Sequence, residues 1–176
     1  GYRKAKDVIA YFLNDRGNLP RAMQVAYDRA MRSSLLKVRP INKRNLESEL
    51  DIILSIHTDA WSDNWGFVPF TVDEIKDLGS NLKWLIKEDY VAIAEYDGVP
   101  AAMAVSLPNI NEWIKDLDGR LSPLGVSKLL WRMGTQVPRS IRLVLMGVRK
   151  RYHGSLLGSS LALSVIEKVR SYHIAS

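Results

Sequence analysis

The spacing of apolar residues along this chain changes from one segment to the next, and each change predicts an element. Asp7–Leu13 (DVIAYFL) is rich in branched and aromatic residues and predicts a strand. Asn14–Leu19 then reads as a turn. Pro20 suits the start of a helix, and Met23, Ala26, Tyr27, Ala30 and Met31 recur at helical spacing. Leu35–Ile41 (LLKVRPI) alternates as a strand does, and Pro40 near its end predicts an edge position. Asn45–Trp61 predicts a long helix with Leu46, Leu50, Ile53, Ile56, His57 and Trp61 on or near one face. Ser62–Phe70 (SDNWGFVPF) reads as a loop. Thr71 and Glu74 form a T-x-x-E capping box, so a helix starts there with Ile75, Leu78, Leu82 and Leu85 as its stripe.

Asp97-Gly98 separates the apolar runs Tyr90–Tyr96 and Val99–Leu107, which predicts a tight hairpin. Ile110–Leu117 and Ser122–Met133 read as two shorter helices. Ile141–Val148 (IRLVLMGV) is almost wholly apolar and predicts a strand buried on both faces. Leu156–Tyr172 closes the pattern as a helix with Leu157, Leu161, Val165, Ile166 and Val169 inward. The fold class is α/β (α+β), with a mixed, mostly antiparallel sheet flanked by helices.

Composition narrows the function classes. The 176 residues are 47% hydrophobic and 25% charged, which is globular usage. No cysteine is present, so disulfides, thiolate zinc sites and a cysteine nucleophile are excluded. Three scattered histidines make no metal-ligand pattern, and we expect no metal. The longest apolar run, Val99–Leu107, is broken by Pro100 and Ser106 and is far short of the ~20 residues of a membrane helix. No signal peptide is visible, and we expect a cytoplasmic protein without a membrane partner. The chain starts at Gly1 rather than Met, which suggests a piece of a longer protein. The net charge of +6 combines a basic segment (residues 1–44), an acidic one (45–99) and a second basic one (100–176). Such a chain is no uniform nucleic-acid glove, and the sequence argues against that partner. Lys37, Arg39, Lys43 and Arg44 read as a solvated face. Trp61, Trp84, Trp113 and Trp131 read as packing residues of helices, and His57 as a buried structural histidine.

The segment Ile141–Leu163 carries the chemistry. A strand leads into Arg149-Lys150-Arg151-Tyr152-His153-Gly154-Ser155, and a helix follows. First-turn amides of a helix lack internal partners and sit at the positive end of the helix dipole, where a pyrophosphate fits. Glycine lets phosphate approach the backbone, and three basic residues stand just before the turn. The same spacing also describes an ordinary capped helix behind a basic loop, and that alternative stays open.

The stretch LVLMGVRKRYHGSLLGSSLALSVIE resembles the GNAT-type N-acetyltransferase superfamily, in which R/Q-x-x-G-x-G/A opens the helix after the central strand. The resemblance implies acetyl-CoA as cosubstrate, with its pyrophosphate on the loop amides and its pantetheine arm along the strand. Met146 and Val148 would then face the pantetheine. His153 takes the place of the Arg or Gln, Gly154 matches the glycine common after it, and Gly158 matches the last glycine. Leu156 replaces the middle glycine, and Ser155 stands where Arg or Lys is usual. The Gly147 or Val148 amide would polarise the thioester carbonyl. Glu95 is a candidate base, or else an outward solvated residue.

KVRPIN, DAWSDNWGFVPFT, AIAEYDGVPAAMAVSLPNINE and GRLSPLGVSKLLWR look like a bacterial GNAT-like family of unassigned activity, in which the domain follows another within a longer chain. That resemblance implies an upstream domain or junction over residues 1–34 and a GNAT-like domain over 35–176, incomplete at its C-terminus. It places Asp63, Asn64, Trp65 and Phe67 between the helices that wall the acceptor site. Asn64, Trp65 and Phe67 are therefore candidate substrate contacts, with core plugging as the alternative for the two aromatics. The function implied is acyl transfer from acetyl-CoA or another acyl-CoA to an unidentified amine. The alternative is a non-catalytic module of the same fold.

Overall fold

A computed structural model describes residues 3–10, 20–82, 87–117, 119 and 122–174. Its elements run α1 (Arg21–Met31), β1 (Leu36–Pro40), α2 (Leu46–Trp61), α3 (Val72–Leu82), β2 (Val91–Tyr96), β3 (Val99–Pro108), α4 (Asn111–Ile114), α5 (Pro123–Thr135), β4 (Ile141–Val148) and α6 (Leu157–Ile174). Short 3₁₀ turns precede α2, β2 and α6. The four strands form one antiparallel sheet in the order β1-β2-β3-β4, the mixed α/β architecture that the pattern predicts.

Local chemistry explains the better-defined boundaries. Thr71 Oγ1 accepts from the Glu74 amide, and Glu74 reaches back to the Thr71 amide, so the capping box closes and α3 begins. Asp97 and Gly98 take φ of 51° and 73°, the two left-handed residues that a two-residue hairpin needs. Pro40 ends β1 on the sheet edge, where its missing N–H costs nothing. Pro20 stands just before α1, its carbonyl accepting the amides of Met23 and Gln24.

Strand alternation sorts the core onto two faces. Ala92, Ala94, Ala102 and Ala104 form a floor on which Leu157, Leu161 and Val165 of α6 lie. Val91, Ile93 and Met103 point the other way, onto Ile53 and Ile56 of α2. Two bulges adjust the ladder. Ala101 is the extra residue where the β2–β3 register shifts, and Val144 is the extra residue between β3 and β4. α1 rests against α6, and Tyr27 bonds Glu167. Burial and that carboxylate push the Tyr27 hydroxyl up to about 12.

Several expectations change. β4 is not buried on both faces: it is an edge of the described sheet, and Leu143 and Val144 are 48% and 50% exposed. An unbroken apolar run reports side-chain type and not the number of neighbouring strands, so it cannot separate the two cases. Residues 7–10 of the Asp7–Leu13 strand are irregular and exposed, with no partner strand among the described residues. Residues 11–13 of that segment, with Trp84 and Leu85, lie outside the described residues.

Arg39 is not part of a solvated face, and Glu95 is neither solvated nor free. Arg39 bonds Glu95 at 2.6 Å and Glu49 at 2.9 Å between the sheet and α2. Burial works against the Arg39 charge, but its hydrogen bonds to Glu95 and Glu49 outweigh it and hold the guanidinium above its ordinary value. Trp113 packs as expected, whereas Trp131 is 62% exposed on α5.

Candidate functional site

The C-terminal half of β4, the turn after it and the start of α6 enclose a cleft of about 310 Å³. Met146, Val148, His153, Gly154, Ser155 and Gly158, all named by the motif, line it together with Ala60, Trp61, Gly147 and Tyr152. Two glycines let the walls approach. A Cβ built on Gly147 would stand 3.2 Å from Ala60 Cβ, so α2 presses onto the strand there. A Cβ on Gly158 would stand 3.2 Å from Val148 Cγ2, so α6 does the same from the opposite face. Gly154 has φ of +78° and turns the chain into α6. Ser155 Oγ accepts from the Leu157 amide as a cap. The amides of Gly158 and Ser159, one residue further on, have no intrahelical carbonyl to bond.

Ladder parity decides which β4 groups face the cleft. The Arg149 amide donates to Ala101 O, so Arg149 and Gly147 are bonded to β3. The N–H and C=O of Val148 and Met146 therefore point outward. Of the two amides proposed as carbonyl donors, Gly147 is spent on the sheet, and Val148 faces the side on which no strand among the described residues pairs with β4. The outward carbonyls are occupied. Trp61 Nε1 donates to Met146 O at 2.9 Å, and His153 Nε2 lies 2.9 Å from Val148 O. A carbonyl can only accept, so His153 Nε2 carries the hydrogen.

The basic turn is used differently from the expectation. Arg149 bonds Pro100 O and Ser55 Oγ. The Lys150 amide donates to Asp59, and its ammonium group meets Ser62 and Asp63. Two of the three cations thus tie the turn to α2. Arg151 lies over the Tyr152 ring, 4.6 Å from its centroid, on the exposed side. These partners lie far away in sequence, which is why the motif alone gives no hint of them.

Leu156 is 46% exposed and does not line the cleft, so its side chain leaves the first turn open. Asn64, Trp65 and Phe67 do not line it either. Asn64 is exposed, and its backbone links Trp61 to Phe67. Trp65 is 66% exposed, with the Lys6 ammonium 5.7 Å from its ring centre. Phe67 and Phe70 pack on His57, which also stacks on Trp61. His57 is buried, as its position predicts, and burial lowers its pKa. The sequence reading missed Ala60, Trp61 and Tyr152 as cleft walls. Trp61 at the last turn of a helix was the available signal, and a packing role hid it.

No family model matches the chain. Over 171 residues, 97% of the chain, it is 40% identical to Protein YghO of Escherichia coli, covering 43% of that protein. It is 38% identical over 170 residues to the Bacterial ceramide synthase of Caulobacter vibrioides, again over 97% of the chain and 44% of the relative. The chain therefore spans less than half the length of the curated relatives it matches. An N-acetyltransferase from Staphylococcus aureus Mu50 aligns over 79% of this chain and 68% of its own, at 16% identity and a TM-score of 0.48. N-acetyltransferases thus stand among the solved structures that it resembles. Among the described residues no set of His, Asp or Glu is grouped to hold a metal, and no helix is long and apolar enough to cross a membrane.

Proposed function

We propose that this chain binds an acyl-CoA in the cleft at the end of β4 and supports transfer of its acyl group to an amine. The observation that carries this reading is the convergence, in one cleft, of the outward Val148 amide, the left-handed turn at Gly154 and the first turn of α6. The Val148 N–H is a fixed donor for the thioester oxygen, on which negative charge grows as the amine attacks. The amine nitrogen forms the new C–N bond, the C–S bond breaks, and the thiolate leaves as CoA. The proton lost by the amine passes to a base or to water. Glu95 does not serve as that base, because Arg39 holds it. The amides of Gly158 and Ser159 face the pyrophosphate in this reading, and Met146 and Val148 border the pantetheine. Asn64, Trp65 and Phe67 remain proposed acceptor contacts beside the cleft, with the boundary at residue 34 and an upstream domain as partner.

The name of the Caulobacter relative suggests a finer reading. A ceramide is a fatty amide of a long-chain amino alcohol, so a fatty acyl-CoA and such an amine are the first substrates to test. A second reading, a non-catalytic module, draws on the diversion of Arg149 and Lys150 to α2.

Leu156→Asp separates these readings. A carboxylate at the start of α6 stabilises the helix by about 0.5–1 kcal/mol, yet it repels a bound phosphate. Calorimetric titration with acetyl-CoA and a long-chain acyl-CoA should show binding that this substitution weakens while the melting temperature holds or rises. Absence of binding at millimolar ligand would leave the non-catalytic module.

A further inference from the structure

We infer that Lys150 is a positioning residue that couples the turn after β4 to the loop between α2 and α3, so that what one holds is felt at the other. All of its polar groups are engaged, each in a different direction. Its amide donates to Asp59 Oδ2 at 2.8 Å, which fixes the turn to α2. Its carbonyl accepts the His153 amide at 3.0 Å, next to the left-handed Gly154. Its ammonium group bonds Ser62 Oγ at 2.7 Å and Asp63 Oδ2 at 2.6 Å, at the start of the loop. The neighbouring cations are used elsewhere: Arg149 reaches Ser55 in the middle of α2, and Arg151 lies over Tyr152 beside it in the chain. From Asp63 the loop runs through a turn in which the Asn64 amide bonds Trp61 O and the Phe67 amide bonds Asn64 O. Phe67 then packs on His57. A shift of the turn is therefore carried by Lys150 to the loop. The reverse holds equally, because coupling between two sites is reciprocal. The occupants of the two sites, an acyl-CoA on the turn and the acceptor on the loop, rest on the function proposed above, but the mechanical link does not.

Hydrogen exchange of the full-length protein, read by mass spectrometry on peptides spanning residues 62–70, tests the link without a ligand. Gly154→Ala strains the turn through the backbone alone, since φ is +78° and a Cβ there meets nothing within 4 Å. Lys150→Met removes the ammonium group and leaves the amide bond to Asp59 in place. Gly154→Ala should speed exchange of the loop about two- to fivefold, the scale of one exposed ion pair, and should add nothing in the Lys150→Met background. Equal effects of Gly154→Ala in the two backgrounds, or no effect in the parent, would overturn the proposal. The second arm adds acetyl-CoA, with binding verified by calorimetry. It should slow the same loop amides in the parent and leave them unchanged in Lys150→Met, which still binds because Lys150 is not a wall of the cleft. An equal response of the two proteins sinks the link, and loss of binding in Lys150→Met would make Lys150 a direct ligand and not a positioning residue. If acetyl-CoA does not bind the parent at all, the acyl-CoA reading fails while the two substitutions, alone and together, still decide this one.

Discussion

The two faces of the sheet are held by different physics. The α6 face is a floor of alanines under Leu157, Leu161 and Val165, and its contacts are apolar and close. The α2 face adds directional bonds to its apolar core. Arg39 links Glu49 and Glu95 across it, Asp59 receives the Lys150 amide, and Trp61 bonds the Met146 carbonyl. Apolar burial is non-directional and tolerates small slides. Hydrogen bonds and ion pairs are lost when geometry slips. The α2 face therefore fixes where the end of β4 and its turn stand, while the α6 face supplies close packing and, in the first turn of α6, unbonded amides. The cleft lies where the two meet.

The largest effect that would break this comparison is expected at Arg39. Removing its guanidinium strands the buried Glu49 beside Glu95, and breaking a buried pair costs about 3 kcal/mol at the partly covered end of the usual range. Urea unfolding of Arg39→Ala should show that loss. Replacing Arg39, Glu49 and Glu95 together by apolar residues of similar volume should recover most of it, because no charge is then left unpaired. A loss below about 1 kcal/mol for Arg39→Ala, the scale of exposed pairs, would show that the cluster is solvated and the α2 face no more specific than its counterpart.

The paired glycines sharpen the contrast. Alanine at Gly147 meets Ala60 Cβ at 3.2 Å and Met103 Cε at 3.4 Å, and the first of these has no rotamer to change. The helix or the strand must move, so we expect Gly147→Ala to cost about 1–3 kcal/mol, as overpacking does. Alanine at Gly158 meets only the side chains of Val148 and Met146, at 3.2 and 3.6 Å. Those are side-chain ends that can turn aside, and helix propensity returns about 1 kcal/mol, so Gly158→Ala should leave the melting temperature nearly unchanged. The reverse order of the two melting temperatures would contradict the claim that α2 is the rigid wall.

Much of this was legible in the chain because its signals are local. The Thr71–Glu74 box, the Asp97-Gly98 hairpin and the α6 stripe each lie within a few residues, and each forms as its chemistry predicts. The strand-turn-helix segment likewise contributes most of the cleft wall. What was not legible depends on residues far apart. Arg149 and Lys150 look like free cations until Ser55, Asp59 and Asp63 come beside them. Trp61 looks like a core residue until Met146 O appears against its indole. The apolar run of β4 looks doubly buried because side-chain identity carries no count of neighbouring strands.

The smallest effect concerns pH and again separates the faces. His57, on the α2 face, is buried among Trp61, Phe67 and Phe70 with Nδ1 unpartnered, and burial lowers its pKa below the ordinary 6.5. The folded chain then resists protonation more than the unfolded chain does. Stability is fully present above the unfolded value and is lost as pH falls through 6.5 toward the lower folded value. The slope cannot exceed about 1.4 kcal/mol per pH unit for a single group. Exposed Asp116 behaves separately, since its bonds to Arg132 and Lys128 hold its carboxyl far below the ordinary 3.8, and its contribution fades only in stronger acid. Urea midpoints between pH 7.5 and 5 should therefore fall for the parent chain and fall less for His57→Leu. Because Trp61 stacks on His57, the same pH drop should also disturb the indole resonance of Trp61. Parallel pH profiles for the two chains would mean that His57 is already solvated and that the wall behind Trp61 is looser than its packing indicates.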